Sequence, residues 1–557
     1  MLNNQKGQTL LTVMLISLVF TVLGLTIAAG TIGGTKRTEI RVDDIQLTAQ
    51  ATRKLNEVIA DFRDSVSDIK LTGSNQITQV HAELRTINNS LLDKEGKLTI
   101  TDESEASGIK DPSSVLTKAY NFSYTDTDGN LTKTVSKKVF LSPTPTFLNF
   151  AAGTGDGLDE YGNDEVDKGI MELNGASEFK GNIYTKELKT KDTARYVDEE
   201  AALNNTTAET QTRYPKLDGT ATIRKSINGK DILSDYSVLK GYFEEGSKVT
   251  FRKDTEDYIP VDFEQTLAKV LNTVSGTADY VKEDITVKKI NQALSSLNFC
   301  STPITGCTLQ VDDGFSQLLE DLNGAGEPIP ENVIYSPSAK LEDPFTIDSD
   351  FLLADEKWLI VNGNLTITAD TDKPIKVAGN IFVTGDLIIE GNQTNSAGGT
   401  EAAEDDEVQV DSTIYVLGET SISNTNIKGL DDKQLVVMSK ENLFMSRINE
   451  FKDYQQSEAI DAFLFTEQSA ELYGVGSIFK INGGVFAEKK LTINAIRQDR
   501  ISRSKRLADQ ISTPSYQKGQ KSRFYVEHDP SVLIDQMDAL PRVETYQVIL
   551  DDTIISR

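Results

Sequence analysis

The chain has 557 residues, of which 38% are hydrophobic and 25% charged, and its 85 acidic residues against 57 basic ones give a formal net charge of −28. That surplus disfavours nucleic acid and anionic membrane surfaces as general partners. With only His81, His528, Cys300 and Cys307, there is no Cys/His zinc site, no His-rich metal centre and little scope for a Ser-His-Asp triad, so no catalytic, cofactor-binding or metal-ligating residues are expected.

Residues 1–7 form a short polar segment containing Lys6, and no residue from Gln8 to Thr35 carries a charge. As a helix at 1.5 Å per residue, that run is about 42 Å long, which exceeds a hydrocarbon core of roughly 30 Å. Residues 8–35 are therefore expected to form a transmembrane helix, with a break available at Gly30-Thr31-Ile32-Gly33-Gly34. A cleaved secretory signal would have a shorter apolar region ending at a small-residue site. Leu55, Ile59, Phe62, Val66 and Ile69 recur at helical spacing, so 36–92 reads as an amphipathic helical stalk.

Lys6-Gly7 directly before an apolar run resembles the class III leader of type IV prepilins. The resemblance covers about residues 1–65. It implies cleavage between Gly7 and Gln8, a helix that first holds the precursor in the cytoplasmic membrane, and later packing of that helix against other pilin-like subunits. It also implies a single-pass topology with the bulk of the chain extracytoplasmic. The flanking charges alone do not favour that orientation, since Lys36, Arg37 and Arg41 lie beyond the apolar run. Most major pilins carry glutamate at the fifth mature position. Here that position is Thr12, which resembles the PilX-type minor pilins and K-type minor pseudopilins.

Residues 93–145 read as a β-hairpin region. Asn121–Tyr124 and Leu131–Leu141 alternate around Asp126-Thr127-Asp128-Gly129, an Asp-Gly hairpin signal whose glycine stands at the wrong place for a calcium loop. A phrase then recurs: glycine, a small polar residue, and alternating apolar residues. It starts at Gly181, Gly363, Gly379 and Gly385, and more loosely at Gly418 and Gly483. The repetition predicts a parallel β-solenoid, with first strands in 146–191 and the main part in 346–500. Leu365, Ile367, Ile381, Val383, Leu387 and Ile389 would point inward. An antiparallel sandwich uses the same Gly-Asn turns and is the alternative.

Residues 192–345 read as a mixed α/β insertion, with helical spacing in Phe263–Val274 and Val287–Leu297 and a short candidate at Phe315–Leu322. Gln393–Asp411 reads as a polar, acidic loop. Cys300 and Cys307 flank Pro303 and Gly306; outside the membrane they would close as a disulfide worth about 2–3 kcal/mol, and in the cytosol they would be idle thiols. Residues 501–557 read as a C-terminal region with a basic segment, which starts at Arg497 and includes Lys521 and Arg523. That segment either pairs with the chain's own acids or meets an anionic wall polymer.

The expected fold is mainly β with a long N-terminal α-helix and a parallel β-solenoid body interrupted by a mixed α/β insertion. The expected protein is a membrane-anchored, pilin-like surface component of a type IV pilus-like filament, acting in assembly or adhesion with a cell-wall polymer or glycan as candidate ligand. Size favours a minor or tip position. Packed helices stand 8–10 Å apart, whereas a body of about 500 residues has a radius of gyration of roughly 23 Å. The alternatives are a membrane-tethered β-helical carbohydrate-active enzyme, for which no ordered set of acids stands out, and a static cell-envelope scaffold.

Overall fold

The computed structural model is mainly β with a long N-terminal helix. It describes residues 5–556 apart from 70, 72–76, 93–95, 108, 110–111, 114–115, 130, 144, 160, 197–207, 254–260, 276–298, 301–307, 312–327, 336–343, 355–356, 370–373, 392–405, 432, 450–451, 500–518, 530–531, 533–539 and 541–545. The chain divides into two units, Met1–Pro143 with Glu544–Arg557, and Thr144–Val543.

In the first unit, helix α1 (Gln5–Ser67) runs unbroken through the Gly30–Gly34 segment where a break was available. A helix-interior glycine costs only about 1 kcal/mol relative to alanine, and α1 contains no proline. A separate helix α2 (Ile77–Leu91) follows, so the expected 36–92 stalk is two helices rather than one. Strands β1 (Leu98–Asp102), β2 (Lys118–Asp128) and β3 (Leu131–Ser142) form an antiparallel sheet. The β2–β3 turn is the expected Asp-Gly hairpin, with Asp128 opposite Leu131 and Gly129 at φ +57°. The C-terminal strand Gln547–Ser556 completes this sheet beside β3, pairing Leu141 with Val548 and Val139 with Leu550.

That pairing corrects the boundary expected at 501–557. Residues 544–557 belong to the first unit, while Phe524–Glu527 pairs within the second. In chain order the second unit is therefore an insertion, its sequence lying between those of two strands that pair directly in the first unit.

In the second unit, strand pairing links parallel ladders into one closed network. One buried row runs Val333, Leu359, Ile381, Ile414, Val437, Leu464, Val485, Ala152, Ile183 and Ala221, each directly paired with the next. A second runs Phe345, Leu365, Leu387, Thr420, Leu443, Ala470, Leu491, Met171 and Leu188. All six residues expected to point inward are at most 1% exposed and share one apolar cluster. Alternation buries one side of each strand, and in-register stacking places like side chains over like.

The rows do not follow chain order. Ala152–Thr154 and Ile170–Gly175 sit beside Phe479–Ala487 and Lys490–Ala495, so the chain enters the stack in its interior. It runs outward to Lys248–Lys253 and rejoins the ladders at Phe299–Cys300. Lys216–Ile227 and Val333–Tyr335 are thus members of the ladders, which moves them out of the insertion expected over 192–345. Asp406–Asp411 is likewise strand rather than part of an acidic loop.

The helix Phe263–Ser275 has its expected apolar face, with Phe263, Leu267, Val270, Leu271 and Val274 all at most 7% exposed. Phe263 meets Tyr415 and Phe465, with ring centroids 6.4 and 6.1 Å away. Phe147 covers Phe465 at 4.6 Å. The ladder's outer aromatic row is therefore buried too. The expected helices Val287–Leu297 and Phe315–Leu322 lie outside the described residues.

Glycine serves two distinct needs at the corners. Gly379 holds φ +115°, where a side chain is strained. At Gly385 the need is close approach, because its N–H donates to the Gly363 carbonyl at 2.8 Å and a Cβ would strike that backbone. Beside it, Asn364 Oδ1 accepts from the Asp386 N–H at 2.9 Å, and Asp386 Oδ1 accepts from the Glu419 N–H at 2.8 Å. The small polar residue after the glycine thus bonds the corner above it.

Candidate functional site

The feature that most departs from an ordinary folded surface is the first half of α1. Leu10–Ala28 has a mean hydropathy of 2.5 and no buried share, and it is long and apolar enough to cross a membrane. Leu10, Met14 and Phe20 are 67%, 69% and 71% exposed. Isolated exposed apolar residues need no explanation, but a continuous cylinder of them does.

The few polar groups on this cylinder are satisfied internally. Ser17 Oγ donates to the Met14 carbonyl at 3.0 Å, Thr21 Oγ1 to Ser17 at 2.8 Å, Thr26 Oγ1 to Val22 at 2.6 Å and Thr31 Oγ1 to Ile27 at 3.0 Å. Hydroxyls bonded back to the preceding turn need no water, a requirement of a helix in lipid or against another apolar helix.

The same helix is rooted in the first unit. From Leu47 onward one face turns inward, and Ala51, Leu55, Ile59, Phe62 and Val66 are at most 3% exposed. This is the face expected from the spacing of Leu55 to Ile69. Phe62 packs at 4.9 Å on Phe122 and edge-on at 6.1 Å against Tyr120. Where the helix meets the sheet, Asp44 Oδ1 stands 2.9 Å from Nζ of Lys133, a β3 residue only 5% exposed. Sequence reading missed this pair. Asp44 and Lys133 each look like ordinary surface charges, and only the packing of β3 on α1 brings them together.

Gly7 and Gln8 fall near the start of α1, and only their helical backbone is described. Thr12 is on the exposed part of the helix. Cys300 belongs to a short strand, but its side chain and all of Cys307 lie outside the described residues. The basic segment is partly internal. Arg497 pairs with Glu178 at 3.2 Å and with Glu244. Arg523 is fully buried and donates to the carbonyls of Gly476 at 2.7 Å and Ser477 at 3.2 Å. Both arginines are thus engaged by the chain's own acids and carbonyls.

No protein-family model matches the chain, and no curated protein matches it. Among solved structures, the chain is similar to the competence-associated pilin ComZ from Thermus thermophilus, at 10% identity, covering 80% of this chain and 85% of that one with a TM-score of 0.24.

Proposed function

We propose that the protein is a membrane-anchored, pilin-like component of a type IV pilus-like filament, in a minor or tip position, acting in assembly or adhesion. One observation carries the reading. A single unbroken helix has an apolar, internally satisfied first half, and a second half that forms the core of a small antiparallel sheet domain. A signal sequence passes the same test of length and apolarity. The unbroken run of α1 from the apolar half through Gly30–Gly34 into the buried half supports retention of the two halves as one helix. In the precursor the first half would lie in the cytoplasmic membrane; in a filament it would pack beside other pilin-like helices.

In this reading the stacked ladders are the faces of a solenoid displayed outside the membrane. The in-register parallel rows and the repeated glycine corners support that assignment. The body is proposed to bind rather than to catalyse, and polysaccharide incubated with the protein should release no reducing ends.

The test is the N-terminal residue of the protein from cells with and without a prepilin peptidase. Gln8 is expected with the peptidase, and Met1 without it or in Gly7→Asp. An intact Met1 in peptidase-active cells would refute the pilin-like reading.

A further inference from the structure

The first unit also carries a cleft of about 490 Å³ between α2 and the sheet. Sites for small molecules span roughly 300–1,000 Å³. His81, Arg85 and Asn88 line one wall, at i, i+4 and i+7 on one face of α2. Asp102 of β1 lies directly opposite Tyr120 of β2, and Lys118 follows on the same side of β2.

Three features of the lining are unusual together. Lys118 is only 7% exposed, donates to the Pro112 carbonyl at 2.6 Å, and has Asp102 Oδ2 3.9 Å away, beyond hydrogen-bond reach. Burial holds its pKa below the ordinary lysine value, so a closer anion would be stabilising. Asn88 Oδ1 is buried with no hydrogen-bond partner, which leaves an acceptor free for a donor group. Two cations, Arg85 and Lys118, also converge here in a chain whose net charge is −28.

A simple anion would serve the two cations and leave Asn88 Oδ1 unpaired. A neutral sugar would pair Asn88 and bring no negative charge to Arg85 and Lys118. A ligand with a carboxylate beside hydroxyl groups does both. We propose that this cleft binds an acidic saccharide of the hexuronic type, with its carboxylate on Arg85 and Lys118 and one hydroxyl donating to Asn88 Oδ1. Arg85 presents a planar fork suited to a carboxylate. The site needs only the packing of the first unit, so it stands or falls separately from leader processing.

The test is calorimetric titration of the detergent-solubilised full chain with digalacturonate, cellobiose and acetate. Saturable binding of digalacturonate is expected, with cellobiose and acetate weaker by at least about tenfold. Arg85 is exposed and Asn88 half-buried, so Arg85→Gln and Asn88→Leu should both fold, as a thermal melt would verify. Each should weaken digalacturonate binding by about tenfold, a charge-assisted or buried hydrogen bond being lost. Absence of digalacturonate binding, equal binding of cellobiose or acetate, or wild-type affinity in Arg85→Gln would overturn the proposal.

Discussion

Leu387→Ala tests the stacked rows most directly. Leu387 is fully buried between Leu365 and Thr420, its direct partners on either side. The substitution removes three carbons, about 2.4 kcal/mol of transfer free energy at roughly 0.8 kcal/mol each. The neighbours are held by ladders on both sides and cannot collapse fully, so a cavity contribution raises the total to about 3–4 kcal/mol. Ile388 is the control. It is the next residue, it points outward and it is 38% exposed. Ile388→Ala should cost about 0.5–1 kcal/mol. At about 2 cal/mol/K per residue over a unit of about 400 residues, 1 kcal/mol corresponds to roughly 1.2 °C. The expected fall in Tm is thus about 4 °C for Leu387→Ala and about 1 °C or less for Ile388→Ala. Differential scanning calorimetry of the detergent-solubilised chain separates these values. Equal shifts, or a larger one for Ile388→Ala, would refute the inward row.

Phe62→Ala should destabilise the first unit by about 3–5 kcal/mol, since its ring is fully buried against Phe122 and Tyr120; faster hydrogen exchange of β2 amides, with the second unit's ladders unchanged, is the readout. Glu467 has its pKa pushed up to about 7, chiefly by burial, with the charges of Glu264, Asp262 and Glu441 adding and Lys440 opposing. A carboxyl whose folded pKa lies above its unfolded value contributes stability that is fully present below about pH 4.5 and is lost as pH rises through about 7. Glu467→Gln should therefore remove part of the decline in Tm between those pH values, and a pH series of melts identical to wild type would refute it. Cys300 and Cys307 should appear as a linked peptide in non-reducing mass mapping; two thiols alkylated without reduction would count against the bond and against an extracytoplasmic location.

What the sequence determined by itself is what short-range periodicity encodes. An uncharged run, then a seven-residue recurrence from Leu55 to Ile69, fixes a helix and the face it buries, because helical geometry repeats within four residues. Alternation after Gly363, Gly379 and Gly385 likewise determines which side chains turn inward, and the glycines mark corners where backbone crowding or positive φ excludes a Cβ. Pairing partners are another matter. Ala152–Thr154 is only three residues long and carries no distinctive pattern, yet it stacks on Val485–Ala487, more than three hundred residues away in the chain. Gln547–Ser556 could extend any open ladder, yet it completes the sheet of β3. The same holds for Asp44 with Lys133, and for the wall of α2 that faces Lys118. A strand's own residues specify the side it must bury but carry little information on which of many similar neighbours it joins. That choice was made only by the tertiary structure, through which ends the connections could reach and which apolar faces were left to cover.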